Sequence, residues 1–495
     1  MELVFEKHFE GREGADVLVI PYWKQEGSIQ PACALFEGSE KIYPVIDLGD
    51  FGAKEQELWL LYDWNQKEQR ILLVGLGSEE KATLETMRRA YAEAVKYAIS
   101  KRWKSANLLL PTHAEYSPHQ VAYAAAEAAI MTNYSFDYMS AKLEKKVALM
   151  EKICVVADGC DAEKILRDSL AIAEGIKLTK NLVNGNADDI TPKFLAQQAT
   201  EIGKRYPAMK VRVFDKQAIV KEKMGLFHAV SRGSTEDPYF IVMEYQGNPS
   251  SKDHTVLIGK GITYDTGGLS IKTTSGMETM RCDMAGAATV MGVMVTVAEL
   301  KLAVNVSCIV AATENAIDAN SYKVGDVYRG YNQTTVEIKN TDAEGRLALA
   351  DSLAYAVANL QPSRMIDLAT LTGAAEVALG SVRSPFFSTD DLLASQLFEV
   401  GEEVGERLWL MPLDADYRDL ITSRVADIKN CGDREGSLIF SAMFLKEFVG
   451  NIPWAHVDIA GTAFLSKPRH YHTTSATAYG LRLLIHYLKK FHVKS

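Results

Sequence analysis

The sequence predicts an α/β protein of two domains, a smaller N-terminal one and a larger C-terminal one with a mixed, mostly parallel sheet, joined by a helix. Three observations predict it. The chain has 495 residues, too many for one ordinary hydrophobic core. Short runs of branched apolar residues alternate with helical stretches, the rhythm of a layered, mostly parallel sheet. A long stretch of helical period followed by turn chemistry then separates one alternating region from the next.

In chain order, Asp16–Ile20, Ile71–Val74 and Asn107–Leu110 read as buried strands, with a helix over Glu85–Ser100 between the second and third. This gives a first domain over 1–155. Ile165, Leu166, Leu170, Ala173 and Ile176 recur at helical spacing, so 156–180 reads as the connecting helix. The segment Asn184-Gly185-Asn186-Ala187-Asp188-Asp189-Ile190-Thr191-Pro192 is a turn, with Thr191-Pro192 a helix start. The second domain, 181–495, has buried-strand candidates at Thr255–Gly259, Val304–Ala311, Met365–Ala369 and Ala455–Ile459. Met284–Ala298, 15 residues bounded by Asp283 and Glu299, reads as a buried helix too short for a bilayer.

Composition narrows the class. With 47% hydrophobic and 24% charged residues the chain is an ordinary globular one. A net charge of −10 opposes a general nucleic-acid binder; the modest basic clusters, Lys101–Lys104 and Lys142, Lys145 and Lys146, are explained as solvated faces. Six scattered cysteines without CxxC spacing read as reduced thiols. The N-terminus shows no secretory pattern, and the cytoplasm is the expected location.

Three stretches could carry chemistry. In Gly259–Lys272 a strand is expected to run into a glycine-rich turn bearing Lys260, Asp265 and Lys272, at the strand end where open α/β sheets place ligands. A structural turn is the plainer alternative. Asp283, opening the apolar helix, is either an N-cap or a carboxylate turned back toward that turn. Asp342 and Glu344 stand two apart, with Arg346 continuing the parity, either as a surface ion-pair cluster or as buried acids needing a cation. Four carboxylates, Asp265, Asp283, Asp342 and Glu344, with Lys260, Lys272 and Arg346 beside them suit a pair of divalent ions, which activate water against an acyl or phosphoryl centre. The ten histidines form no HExxH pattern, and His470-Tyr471-His472 reads as packing or surface.

These strings resemble the signature of the leucyl (cytosol) aminopeptidase family, peptidase family M17. Asn340-Thr341-Asp342-Ala343-Glu344-Gly345-Arg346-Leu347 and Gly259–Lys272 carry the likeness, continued by Asp367–Ala374, Ala426–Asn430 and Trp454–Ala463, over about residues 180 to 485. Arg329–Thr334 and Glu435-Gly436-Ser437 depart from the family pattern at no catalytic position. The resemblance implies a macro-like N-terminal fold and a homohexamer. It further implies that Asp265 and Glu344 bridge two ions, that Asp342 completes the first site, and that Lys260 and Asp283 complete the second. Zn or Mn are the expected ions, with Mg or Co as alternatives. Lys272 would face the oxyanion, and Arg346 would hold a bicarbonate. Met280, Leu371 and Gly373 would line the substrate cleft.

The implied reaction is hydrolysis of the first bond of peptides with a free amino terminus, leucine and other mostly apolar residues preferred. The rivals are a two-metal phosphoesterase, a catalytically silent binding or assembly protein, and a secondary DNA-binding role. No membrane association is expected.

Overall fold

The computed structural model describes residues 1–26, 28–34, 43–62, 67–137 and 148–492. The chain divides into two compact units, Met1–Ala173 with Ser466–Ser475, and Glu174–Leu465 with Ala476–Ser495. The division falls within the helix Ala162–Asn184. Ser466–Ser475, expected in the second domain, groups with the first unit instead. Tyr471 is buried there and its hydroxyl donates to Glu85 at 3.1 Å; the Thr473 hydroxyl donates to the Tyr134 carbonyl at 2.8 Å.

The first unit carries a seven-stranded sheet. Its order is Glu2–Glu6, Lys152–Val156, Ser105–Leu109, Val17–Gln25, Arg70–Gly75 and Leu58–Tyr62, with Ser28–Pro31 paired to Val17–Gln25. Leu18, Ile20 and Leu73 fill its core. The helices Leu84–Ser100 and Pro118–Thr132 both begin in capping boxes, at Thr83 and Ser117, which satisfy their first free amides. Of the basic clusters, Lys101–Lys104 includes a buried Trp103, and Lys104 pairs with Glu151 at 2.7 Å. Lys142, Lys145 and Lys146 lie outside the described residues.

The second unit is built on an eight-stranded mixed sheet. Its order is Leu408–Leu410, Ser384–Ser388, Trp454–Asp458, Arg364–Ala369, His254–Asp265, Asn305–Asn315, Tyr239–Gln246 and Met209–Phe214. The four central strands run parallel, and antiparallel pairings flank them. Their near-continuous apolar runs are those of strands buried on both faces.

The strand His254–Asp265 corrects the sequence reading. Lys260 lies inside it rather than in the following turn, and Asp265 is its last residue. Gly259 and Gly261 do not turn the chain; they admit neighbours. A Cβ on Gly259 would come within 2.6 Å of the backbone of Gly286 and Ala287, at the start of the helix Ala285–Glu299. A Cβ on Gly286 would meet the Leu368 carbonyl oxygen at 2.0 Å. Bare backbone on both sides lets this helix lie directly on the strands that carry Lys260 and Leu368.

That helix is buried on every side up to Ala298. Together with the short turns before it, Thr274–Glu299 reaches 26 residues, long and apolar enough to cross a membrane by composition. Yet 94% of its apolar window is enclosed by protein, as in a core helix. On the opposite face, the helix Gly345–Asn359 is pinned by the buried Asp351. Its carboxylate accepts the backbone N–H groups of Leu226 and Phe227 at 2.9 Å and of Tyr331 at 2.8 Å.

Candidate active site

Parallel strands at the centre of a sheet deliver their carboxyl ends to one edge, where open α/β proteins collect ligands. Here that edge receives Asp265, Asn315, Ala369 and Asp458, each the last residue of its strand. Gly267 and Gly268 follow Asp265 with φ of +86° and +62°, a left-handed turn that glycine adopts without strain. The turn returns Lys272 over the end of its own strand. Lys272 Nζ lies 2.9 Å from Asp265 and 2.6 Å from Asp342.

Deeper in the strand, Lys260 Nζ sits 2.9 Å from both Asp283 and Glu344. It also donates to the Thr370 carbonyl at 2.9 Å. Asp283 does not cap the apolar helix, whose N-cap is Met284; its carboxylate accepts the Thr370 hydroxyl at 2.8 Å. Asp342 and Glu344 occupy a turn rather than extended chain, and still converge. Carboxylate oxygens of Asp265, Asp342 and Glu344 lie within 4.8 Å of one another. Asp283 stands outside this triad and joins it through Lys260.

The electrostatics register an excess of negative charge. Burial, reinforced by Glu344, pushes the Asp265 carboxyl up to about 6. Burial likewise holds Asp283 well above the usual carboxylate range despite Lys260 beside it, with Asp265 and Glu344 adding to the shift. Glu344 falls below its ordinary value: burial works to raise it, and Lys260 and Lys272 outweigh that. Both lysines stay above the ordinary range: burial works against their charge, and the surrounding carboxylates prevail. Glu344 Oε2 is buried with neither a hydrogen bond nor an ion pair among the described residues. Two ammonium groups thus leave four converging acids incompletely neutralised. An all-oxygen cluster with one amine, and an acceptor left over, fits divalent cations.

The remaining predicted residues fall at the margin of this cluster. Arg346 lies in the first turn of the helix Gly345–Asn359, where burial lowers its pKa and the charges of Glu344, Asp458 and Asp342 oppose that shift. Its guanidinium donates to the Asn430 carbonyl at 2.8 Å and lies 5.5 Å from the Phe440 ring centre. Met280 is half-buried three residues before Asp283. Leu371 belongs to the loop after the strand Arg364–Ala369, next to the Thr370 that touches Lys260 and Asp283, and the exposed Gly373 is the first residue of the helix that follows.

Sequence reasoning passed over two participants. Asn315 Nδ2 donates to Asp265 Oδ1 at 2.8 Å and to the Thr341 carbonyl at 3.0 Å, tying the strand end to the signature turn. Thr370 is the other. The signal for both was position: each sits where a central strand ends or has just ended beside Asp265 or Asp283.

An open α/β sheet with carboxylates and lysines gathered at the carboxyl ends of its central strands is an arrangement that suits divalent-metal chemistry. The pattern of the cytosol aminopeptidase family's catalytic domain matches residues 177–485, and that of its N-terminal domain matches 19–142. A probable cytosol aminopeptidase of Protochlamydia amoebophila (strain UWE25) is 47% identical over 493 residues, covering 99% of each chain. Among solved structures, the bottromycin maturation enzyme BotP in complex with Mn aligns with a TM-score of 0.84 at 30% identity, over 96% of this chain and 99% of that one. A mutant of tomato leucine aminopeptidase aligns with a TM-score of 0.85 at 29% identity, over 99% of this chain and 96% of that one. The chain belongs to the cytosol aminopeptidase family. It is a metallo-aminopeptidase, a class that hydrolyses the N-terminal bond of peptides with the help of metal ions.

Proposed function

We propose that this chain removes N-terminal residues, leucine and other mostly apolar ones, from peptides by a two-metal mechanism, in the cytoplasm and as a homohexamer. The observation that carries the reading is the buried carboxylate cluster whose negative charge Lys260 and Lys272 do not balance, with Glu344 Oε2 left unpaired.

In this reading Asp265 and Glu344 would contribute to both metal sites, Asp342 to one, and Lys260 with Asp283 to the other. Lys260 would serve as a neutral amine, a state that neighbouring cations favour; without them the carboxylates keep it charged. Zn or Mn suit the donors best, and Mg or Co are admissible. Bound divalent ions would supply Lewis acidity, polarising the scissile carbonyl and making water nucleophilic at neutral pH. Lys272, at the solvent-facing side of the cluster, is placed to stabilise the developing oxyanion by its charge. Arg346 is proposed to hold a bicarbonate that relays the proton; its Nε, buried without an acceptor, supports an anion there. Water adds to the carbonyl carbon, the C–N bond breaks, and the proton passes to the departing amine. Met280, Leu371 and Gly373 bound the cleft for the N-terminal residue. A free amino terminus would be required because the substrate amine would be a ligand of one ion, a place that a blocked amino end cannot take.

The test is metal analysis coupled to an aminoacyl-anilide panel. Dialysis against a chelator is expected to abolish turnover, and Zn, Mn or Co to restore it. The N-acetylated anilide and an aryl phosphate are expected to be inert. Turnover in metal-stripped protein would sink the mechanism, and hydrolysis of the phosphate alone would favour a phosphoesterase.

A further inference from the structure

Asp458 takes no part in the cluster, yet it ends the strand Trp454–Asp458 at the same edge of the sheet. Parallel pairing sets it opposite Ala369, the last residue of the neighbouring strand, where the loop Thr370–Thr372 departs. Its carboxylate is fully buried and points into that loop. Oδ1 accepts the Leu371 N–H at 3.2 Å and the Ala460 N–H at 3.1 Å, and Oδ2 accepts the Thr372 hydroxyl at 2.7 Å. The same Thr372 oxygen accepts the Ala375 N–H at 3.3 Å, capping the helix Gly373–Leu379.

The loop is therefore gripped from two sides. Thr370 faces the cluster, giving its hydroxyl to Asp283 and its carbonyl to Lys260. Leu371 and Thr372 face the other way and are held by Asp458. Gly373, the first residue of the following helix, has open space beside it: an added Cβ would find nothing within 4 Å. A buried carboxylate that accepts from backbone and hydroxyl groups fixes a loop more stiffly than solvent could, because releasing it would leave a buried charge unpaired.

We infer that Asp458, acting through Thr372, is a positioning residue that sets the distance between the substrate-lining loop and the metal cluster. The inference rests on the proposed placement of substrate against Leu371 and Gly373. Asp458 touches neither substrate nor ions. A shifted loop would weaken substrate binding in the ground and transition states alike, which raises KM and spares kcat.

The experiment compares Asp458→Asn, Thr372→Val and Thr372→Ser with the unmodified enzyme, measuring kcat, KM, thermal midpoint and metal content with an aminoacyl-anilide. Asp458→Asn and Thr372→Val are expected to lower kcat/KM roughly 10- to 100-fold through KM, at unchanged metal content. Thr372→Ser, which keeps the hydroxyl, is expected to recover most of the loss. Folded Thr372→Val enzyme with unaltered KM overturns the inference, as does a loss of activity that tracks a loss of metal. Should Asp458→Asn fail to fold, the Thr372 pair decides alone. Failure of the unmodified enzyme to show metal-dependent cleavage would instead bring down the functional reading beneath it, and this inference with it.

Discussion

At the scale of single residues, the centre is organised by pairs that divide one task. Lys260 and Lys272 each straddle two carboxylates, so each cation is shared and each acid pairs with one lysine only. Replacing Glu344 by Gln keeps the shape and removes a charge that both lysines stabilise. We expect a folded protein with reduced metal content and activity lower by two orders of magnitude or more, read by elemental analysis and anilide turnover. Normal metal content would remove Glu344 from the ligand set. Asn315 acts one step further out. Asn315→Ala frees Asp265 to rotate and is expected to weaken metal affinity roughly 10- to 100-fold in a competitive chelator titration. Asp342 and Glu344 were legible in the sequence because they stand in a polar, non-repetitive string, Asn340–Leu347. Asn315 was not. A lone amide at the end of an apolar strand has no local pattern, and its meaning comes from a neighbour 50 positions away.

At the scale of elements, apolar period revealed the central strands and the enclosed helix, since burial on every side leaves the same mark wherever it occurs. Glycine misled, because the sequence does not distinguish a glycine that turns the chain from one that makes room. Gly259 and Gly261 make room, and the strand runs on through Lys260 to Asp265. The contact between the helix Ala285–Glu299 and its two strands is correspondingly intolerant. Gly286→Ala would drive a methyl group into the Leu368 carbonyl. It is expected to cost about 1–3 kcal/mol in denaturant unfolding and to lower metal affinity by moving Asp283 away from Lys260. Full stability in this variant would show that the helix can shift freely. Asp351 offers a contrast remote from the chemistry. Asp351→Ala leaves two buried amides and a partly buried one without an acceptor and is expected to cost about 3 kcal/mol.

For the whole molecule, every residue assigned to the centre belongs to the larger unit, while Ser466–Ser475 belongs to the smaller. The sequence hid this membership, because the segment is polar and aperiodic and Tyr471 meets Glu85 across 386 positions. Tyr471→Ala is expected to lower stability by roughly 3 kcal/mol, as for other buried aromatic rings. Below its unfolding transition the variant should keep an unchanged kcat/KM; a defect there would tie the segment to catalysis. The backbone thus passes between the two bodies three times, after Ala173, Leu465 and Ser475. A single protease nick between Ala173 and Glu174 would leave 1–173 joined to the segment Ser466–Ser475 by noncovalent contacts alone, the Tyr471 hydroxyl on Glu85 among them. On the ribosome, the smaller body must wait for its tyrosine until nearly all of the larger has been translated, so the first unit to emerge is the one completed late.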